Sequence, residues 1–259
     1  MNFVAIEKTA GITQVILNRP ELHNAFNAEM ISELITTFRD CGNDSDCRVV
    51  IIKSNGKNFS AGADLNWMKS MAKLDFESNQ QDAAELAQLM SVLFTLNKPV
   101  IAQIQGASYG GALGLIACAD IAIATVDAKF CLSEVKIGLV PAVISPYVVR
   151  AMGARQAQRF FMTAEVMSAA KAEQIGFVHE TVAAEALEDA VNAMATLLLN
   201  NGPNAVSLAK TLVHTVENQP IDPSVIQHTT DLIAKVRVSE EGQDGLGAFL
   251  NKTKPSWIQ

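Results

Sequence analysis

The stretch IQGASYGGALG, residues 104–114, decides how this chain is read. It continues the β-branched run Val100 to Ile104 and leads into an apolar helical pattern after the Gly110-Gly111 pair. Strand, glycine turn and helix in that order expose main-chain N–H groups at the positive end of the helix, where negative charge is favoured.

A second turn of small residues, KNFSAGADL at 57–65, follows another strand-like run, Val49 to Ile52. Asp64 is placed to cap a helix starting just after it. Alone, this turn fits a plain strand-to-helix connection as well as a ligand loop. Together, the two turns allow one amide from each to form an oxyanion hole.

Residues 106–110, GASYG, also match the G-x-S-x-G nucleophile elbow, with Ser108 as nucleophile. Asp120 or Asp127, then His179 or His214, would complete the order of a serine hydrolase. That reading leaves the 57–65 turn and Ser133-Glu134 without roles.

Working outward, strands Phe3–Lys8 and Thr13–Leu17 are expected to form a hairpin across Ala10-Gly11. Asn27 caps a predicted helix whose Met30, Ile31, Leu34, Ile35 and Phe38 recur at helical spacing and which ends near Cys41-Gly42. A helix is predicted around Gln80–Leu96, a strand over Asp120–Val126, and from about Ala183 onward only helices: Ala184–Leu199, Pro203–Val216, Pro223–Val238 and Glu240–Asn251. Alternating strands and helices predict an α/β layered fold.

With 259 residues, 49% of them hydrophobic, the chain can bury a large core. A formal charge of −7 and a pI near 5.1 give no general attraction to nucleic acid or anionic membranes. Without a Lys/Arg cluster, an RNA-binding scaffold is the weaker alternative. Val100–Ala119 is apolar enough to suggest a membrane span, but Gln103, Gln105, Ser108 and the glycines favour a buried strand, turn and helix.

Cys41, Cys47, Cys118 and Cys131 form no C-x-x-C pair, and the start MNFVAIEKTA lacks a secretory pattern, so a cytoplasmic location is expected. His23, His179, His214 and His228 are scattered without ligand spacing; no metal site is expected.

FSAGADL (59–65), GASYGGA (106–112) and SEVKIGLVP (133–141) resemble, in order, three motifs of the enoyl-CoA hydratase/isomerase (crotonase) superfamily, over a span from about Phe3 to Phe249. The resemblance implies a ClpP/crotonase-like spiral of repeated β-β-α units over residues 1–195 and a C-terminal helical oligomerisation region over 196–259. A homotrimer or a dimer of trimers is implied. So is a hydro-lyase with an acyl-CoA thioester as substrate and no cofactor, coenzyme A being part of that substrate.

It further implies that the amides of Ala63 and Gly111 bind the thioester oxygen while Glu134 is the carboxylate that moves protons. Burial near an apolar acyl chain should raise the Glu134 pKa, the alternative being a loop salt bridge with Lys136. Leu22, His23, Asn24, Ala25, Ser60, Ala61, Gly62, Asp64 and Leu65 are implied along the CoA moiety, with Phe249 and Lys252 reaching it from the last helix.

One departure is plain. Many hydratases of the family carry a second glutamate where this chain has Gly114. A single glutamate suits hydration or double-bond migration between Cα and Cγ. SAGADLNWM (60–68) and CLSEVKIGLVPAVISPYVV (131–149), with Ala142-Val143 after Pro141, are similar to the bacterial methylglutaconyl-CoA hydratase branch and, beyond it, to carboxygeranoyl-type hydratases. This implies 3-methylglutaconyl-CoA as substrate, in leucine catabolism. A generic short-chain enoyl-CoA is the alternative, and Arg150, Lys69 or main-chain amides are candidates for holding a distal carboxylate.

Overall fold

The computed structural model describes residues 3–258. Strands β1 (Val4–Thr9) and β2 (Ile12–Leu17) pair antiparallel, from Val4 opposite Leu17 to Thr9 opposite Ile12. Ala10 and Gly11 both take positive φ, 25° and 85°, in the connecting turn. Two positive φ angles match the twist of the flanking strands in such a turn.

The far edge of β2 receives β3 (Val49–Ser54) in parallel, followed by β4 (Val100–Ile104), β6 (Ile121–Thr125) and β9 (Glu180–Val182). Residues of β3 alternate between two cores: Val50 and Ile52 face one apolar cluster, Val49 and Ile51 the other. Both faces of this parallel sheet are therefore covered, which is why its strands read as continuous apolar runs.

On the first face lie α1 (Ala28–Asn43), α3 (Phe76–Phe94) and α4 (Gly111–Cys118). The Asn27 side chain accepts from the Met30 amide at 3.0 Å, and Met30, Ile31, Leu34, Ile35 and Phe38 are buried. On the second face α8 (Leu187–Leu199) sets Leu187, Val191 and Ala195 against Val49, Ile51, Ile101 and Ile123. The division expected at 195/196 thus falls inside α8, whose Ala195 belongs to the sheet's core. The chain leaves that core only after Leu199, at Gly202-Pro203, where α9 (Pro203–Val216) starts.

A second small sheet stands over the first: β5 (Ala107–Tyr109), β7 (Lys129–Cys131) and β8 (Met167–Ser168). Isolated bridges Phe26–Ala63 and Ser60–Ser108 extend this layer. Helix α2 (Leu65–Met71) follows the 57–65 turn, and α5 (Ser145–Met152), α6 (Ala154–Thr163) and α7 (Ala169–Gln174) fill the space between β7 and β9. Repeated strand, strand and helix is the spiral expected from the sequence.

Two C-terminal helices, α9 and α10 (Pro223–Val238), bury no residue; the third, α11 (Glu240–Asn251), buries Ala248. Several polar bonds tie this region to the sheet layer. Arg48 donates to the carbonyls of Leu199, Asn201 and Trp257, and Lys210 to Asp120 at 2.8 Å and to the Lys98 carbonyl. All four cysteines are buried and unpaired. No helix among the described residues is long and apolar enough to cross a membrane.

Candidate active site

The two turns singled out by the sequence meet. Gly62, at φ 87°, lies so close to the second turn that a β-carbon there would sit 2.7 Å from the Tyr109 carbonyl oxygen. Only glycine tolerates both that φ and that approach. Phe26 joins the turns: its N–H donates to Gly62 O at 2.7 Å and its carbonyl accepts from Asp64 N at 2.8 Å, while its ring lies 3.4 Å from where a Gly111 β-carbon would be.

Between those two hydrogen bonds, Ala63 faces outward, and neither its amide nor that of Gly111 has a partner among the described residues. Gly111 is the first residue of α4, where amides lack intrahelical acceptors and the helix dipole is positive.

Glu134 arrives by a third route. Gly110 donates to Cys131 O at 2.9 Å, fixing the end of β7 against the α4 turn, and the chain then forms a single 3-10 turn over Glu134–Ile137. The Glu134 carboxylate ends beside Gly110, its Oε1 3.3 Å from the position of a β-carbon there. Gly110, at φ 54° and ψ −123°, has a backbone conformation that a side chain would strain.

Oε2 of Glu134 is buried with no partner. Burial raises its pKa above the ordinary carboxylate value, and a hydrogen bond from its own backbone only partly opposes this. No ion pair joins Glu134 to Lys136 among the described residues.

The position of a second carboxylate is closed. A β-carbon on Gly114 would lie 2.4 Å from Ile144 Cγ2 and 2.9 Å from Met90 Sδ, so apolar side chains fill the volume.

Among the residues expected along CoA, the side chains of Asn24, Ser60 and Asp64 are buried and used internally, which leaves the main chain of these turns to face a ligand. Asn24 accepts from Arg19 N and donates to the carbonyls of Asn55 and Asn58; Ser60 Oγ donates to Asn24 O at 2.8 Å. Asp64 caps α2 through the amides of Asn66 and Trp67 and pairs with Arg19 at 3.0 Å. Ala25 and Gly62 are buried, whereas Leu22, His23, Ala61 and Leu65 are exposed around the same turns. Phe249, 81% exposed, and Lys252 lie at the end of α11, which packs against α9 and α10.

The hydrolase arrangement does not form. Ser108 lies within β5, fully buried with an unpartnered Oγ. His179 Nδ1 takes the Ala122 amide, His214 stacks on Phe94 with centroids 4.3 Å apart, and Asp120 is bound to Lys210. Asp127 is exposed.

Arg19, Phe26 and Ile144 shape the site but were not singled out by the sequence. An arginine directly after a buried strand, at Asn18-Arg19-Pro20, was the available signal for the first; the other two depend on tertiary packing.

A family model for enoyl-CoA hydratase/isomerase matches residues 7–259. The fold superimposes on the crystal structure of an enoyl-CoA hydratase from Shewanella pealeana with a TM-score of 0.96 and 49% identity, covering 98% of this chain and 96% of that one. A short-chain-enoyl-CoA hydratase of Clostridium acetobutylicum is 29% identical over 98% of this chain and 97% of its own length. A 2,3-dehydroadipyl-CoA hydratase of Escherichia coli is 26% identical over 99% of both.

Proposed function

The chain belongs to the enoyl-CoA hydratase/isomerase family and has hydratase-type activity on acyl-CoA thioesters, and from that premise we propose that Glu134, Ala63 and Gly111 hydrate 3-methylglutaconyl-CoA to 3-hydroxy-3-methylglutaryl-CoA. The observation that carries the catalytic assignment is the buried, unpartnered Oε2 of Glu134, on a carboxylate whose other oxygen lies beside Gly110, one residue from a free amide.

The thioester oxygen accepts from the N–H groups of Ala63 and Gly111. Glu134 takes a proton from water, the hydroxyl adds at Cβ, and the electron pair moves through Cα–C1 onto the thioester oxygen as an enolate. The enolate collapses as the protonated Glu134 returns the proton to Cα. Each aimed donor contributes about 3 kcal/mol to stabilising such charge. No cofactor enters these steps.

Similarity to the methylglutaconyl-CoA branch at 60–68 and 131–149 supports the substrate. So does a relative named for the thioester of a dicarboxylic acid. For the distal carboxylate, Arg150 is already bonded to Glu217 and lies over the Phe94 ring, 4.9 Å from its centroid. Lys69 is exposed on α2 with no ion pair among the described residues, which leaves its charge available as a donor.

Leu22, His23, Ala61 and Leu65 would line the CoA moiety, with Phe249 and Lys252 reaching it from α11. The exposed apolar residues of the last helices, Ile226, Ile233, Val238, Leu246 and Leu250 among them, would form contacts of a homotrimer or dimer of trimers, to be read by light scattering. The unpaired thiols fit a cytoplasmic enzyme.

Comparing kcat/KM for 3-methylglutaconyl-CoA and crotonyl-CoA tests the substrate: preference for the former, lost in Lys69→Ala, supports it, and preference for crotonyl-CoA reassigns the chain to short-chain hydration. The closed Gly114 position favours one further reading, isomerisation of a 3-enoyl-CoA by the single glutamate.

A further inference from the structure

Arg19 sits behind the candidate oxyanion hole, touching neither of its amides. It is 8% exposed and lies in the loop after β2. Nη1 donates to the Ala25 carbonyl at 2.6 Å and Nη2 to Asp64 Oδ2 at 3.0 Å. Its own amide is held by Asn24 Oδ1 at 2.8 Å, its carbonyl accepts from Asn24 N at 2.9 Å, and its guanidinium lies over Phe3, 5.2 Å from the ring centroid. The side chain therefore has one place to be.

What it grips matters more. Ala25 precedes Phe26, whose main chain brackets Ala63 and whose ring packs toward Gly111; Asp64 follows Ala63. One planar fork thus ties together the residue before Phe26 and the residue after one of the two amides. We propose that Arg19 is a positioning residue for the oxyanion hole, setting the direction of the Ala63 N–H relative to that of Gly111 through its paired bonds to Ala25 and Asp64.

A lysine keeps the charge opposite Asp64 but lacks the rigid two-pronged geometry, so it should replace Arg19 in folding better than in aiming the amide. The proposal rests on the oxyanion reading of Ala63 and Gly111.

The test uses Arg19→Met and Arg19→Lys in the full chain, with butyryl-CoA labelled at the thioester carbonyl as an unreactive probe. Displacement of the amide predicts kcat lower by about 100-fold in Arg19→Met. KM and the butyryl-CoA Kd should stay within about threefold, because ground-state contacts elsewhere are kept. In difference infrared spectra, the shift that the unaltered protein imposes on the bound carbonyl stretch should shrink in both variants, while Arg19→Lys regains thermal stability more than kcat. If Arg19→Met does not fold, the infrared shift in Arg19→Lys decides.

Folded variants with an unchanged carbonyl shift and kcat within about twofold would overturn the proposal. An unaltered protein that binds butyryl-CoA with no carbonyl shift would instead remove the oxyanion reading and the proposal with it.

Discussion

Asp64 and Glu134 are carboxylates in two turns of the same site, both largely withdrawn from water, yet their surroundings drive them in opposite directions. Burial pushes the Asp64 carboxyl up, but the amides of Asn66 and Trp67 and the Arg19 guanidinium outweigh it and hold the group below its ordinary pKa. Burial also pushes Glu134 up, and nothing but its own backbone answers, so it stays raised. Burial alone does not decide what a carboxylate does; the donors facing it do. Asp64, with its oxygens bonded, is a strut. Glu134, with an orphan oxygen, is free to exchange protons.

The largest effect expected from breaking this contrast is on turnover. Glu134→Gln should lower kcat for hydration by about a thousandfold with little change in butyryl-CoA affinity, as removal of a general base does. Glu134 must be ionised to accept a proton, so kcat/KM of the unaltered protein should fall as pH drops through its raised pKa. Stopped-flow absorbance of the enoyl thioester from acid to neutral pH reads both.

Asp64→Asn keeps a capping side chain but leaves the Arg19 charge buried without its partner, so urea unfolding should show a loss of about 3 kcal/mol. Its kcat should fall by about tenfold through the displaced Ala63 amide, with the acid limb of the pH profile unmoved.

Gly114→Glu sharpens the contrast from another side, by forcing a second carboxylate into the space of Ile144 and Met90. Overpacking should cost about 2–3 kcal/mol in the same unfolding measurement, partly recovered by adding Ile144→Ala.

The smallest effect is thermal. Because the folded state raises the Glu134 pKa, the folded protein holds that proton more tightly than the unfolded chain, and stability from this group increases as pH falls through the raised value. Glu134→Gln should therefore melt about 2 °C higher than the unaltered protein at neutral pH, the advantage vanishing in acid. Asp64 has the opposite sign: its contribution is present above the ordinary carboxylate pKa and lost as pH falls through its lowered value.

The sequence exposed those parts whose signal is local. Long β-branched runs gave β3 and β4, helical spacing gave α1 and the C-terminal helices, and Asn27 and Asp64 cap the helices they were expected to cap. Strands β5, β7 and β8, two or three residues each, are too short to show an alternating pattern, though they bring the three motifs together.

Asn24 and Ser60 were placed along CoA by the family resemblance; the folded chain adds that their side chains lace those turns together. The 195/196 division falls inside α8 because that helix reads like everything after it, and its attachment to the sheet is a property of Val191 and Ala195 packing against distant strands. Gly114 could be recognised as a missing glutamate, but not as a volume already filled by Ile144.

The central claim, a single glutamate adding water to a thioester-conjugated double bond, is tested most directly by turnover of 3-methylglutaconyl-CoA and crotonyl-CoA in heavy-oxygen water, followed by mass spectrometry with and without Glu134→Gln. One heavy oxygen in the product, dependent on Glu134, is the predicted result. Label retained at the same rate in Glu134→Gln, or conversion of a 3-enoyl-CoA with no label as the sole activity, would contradict it.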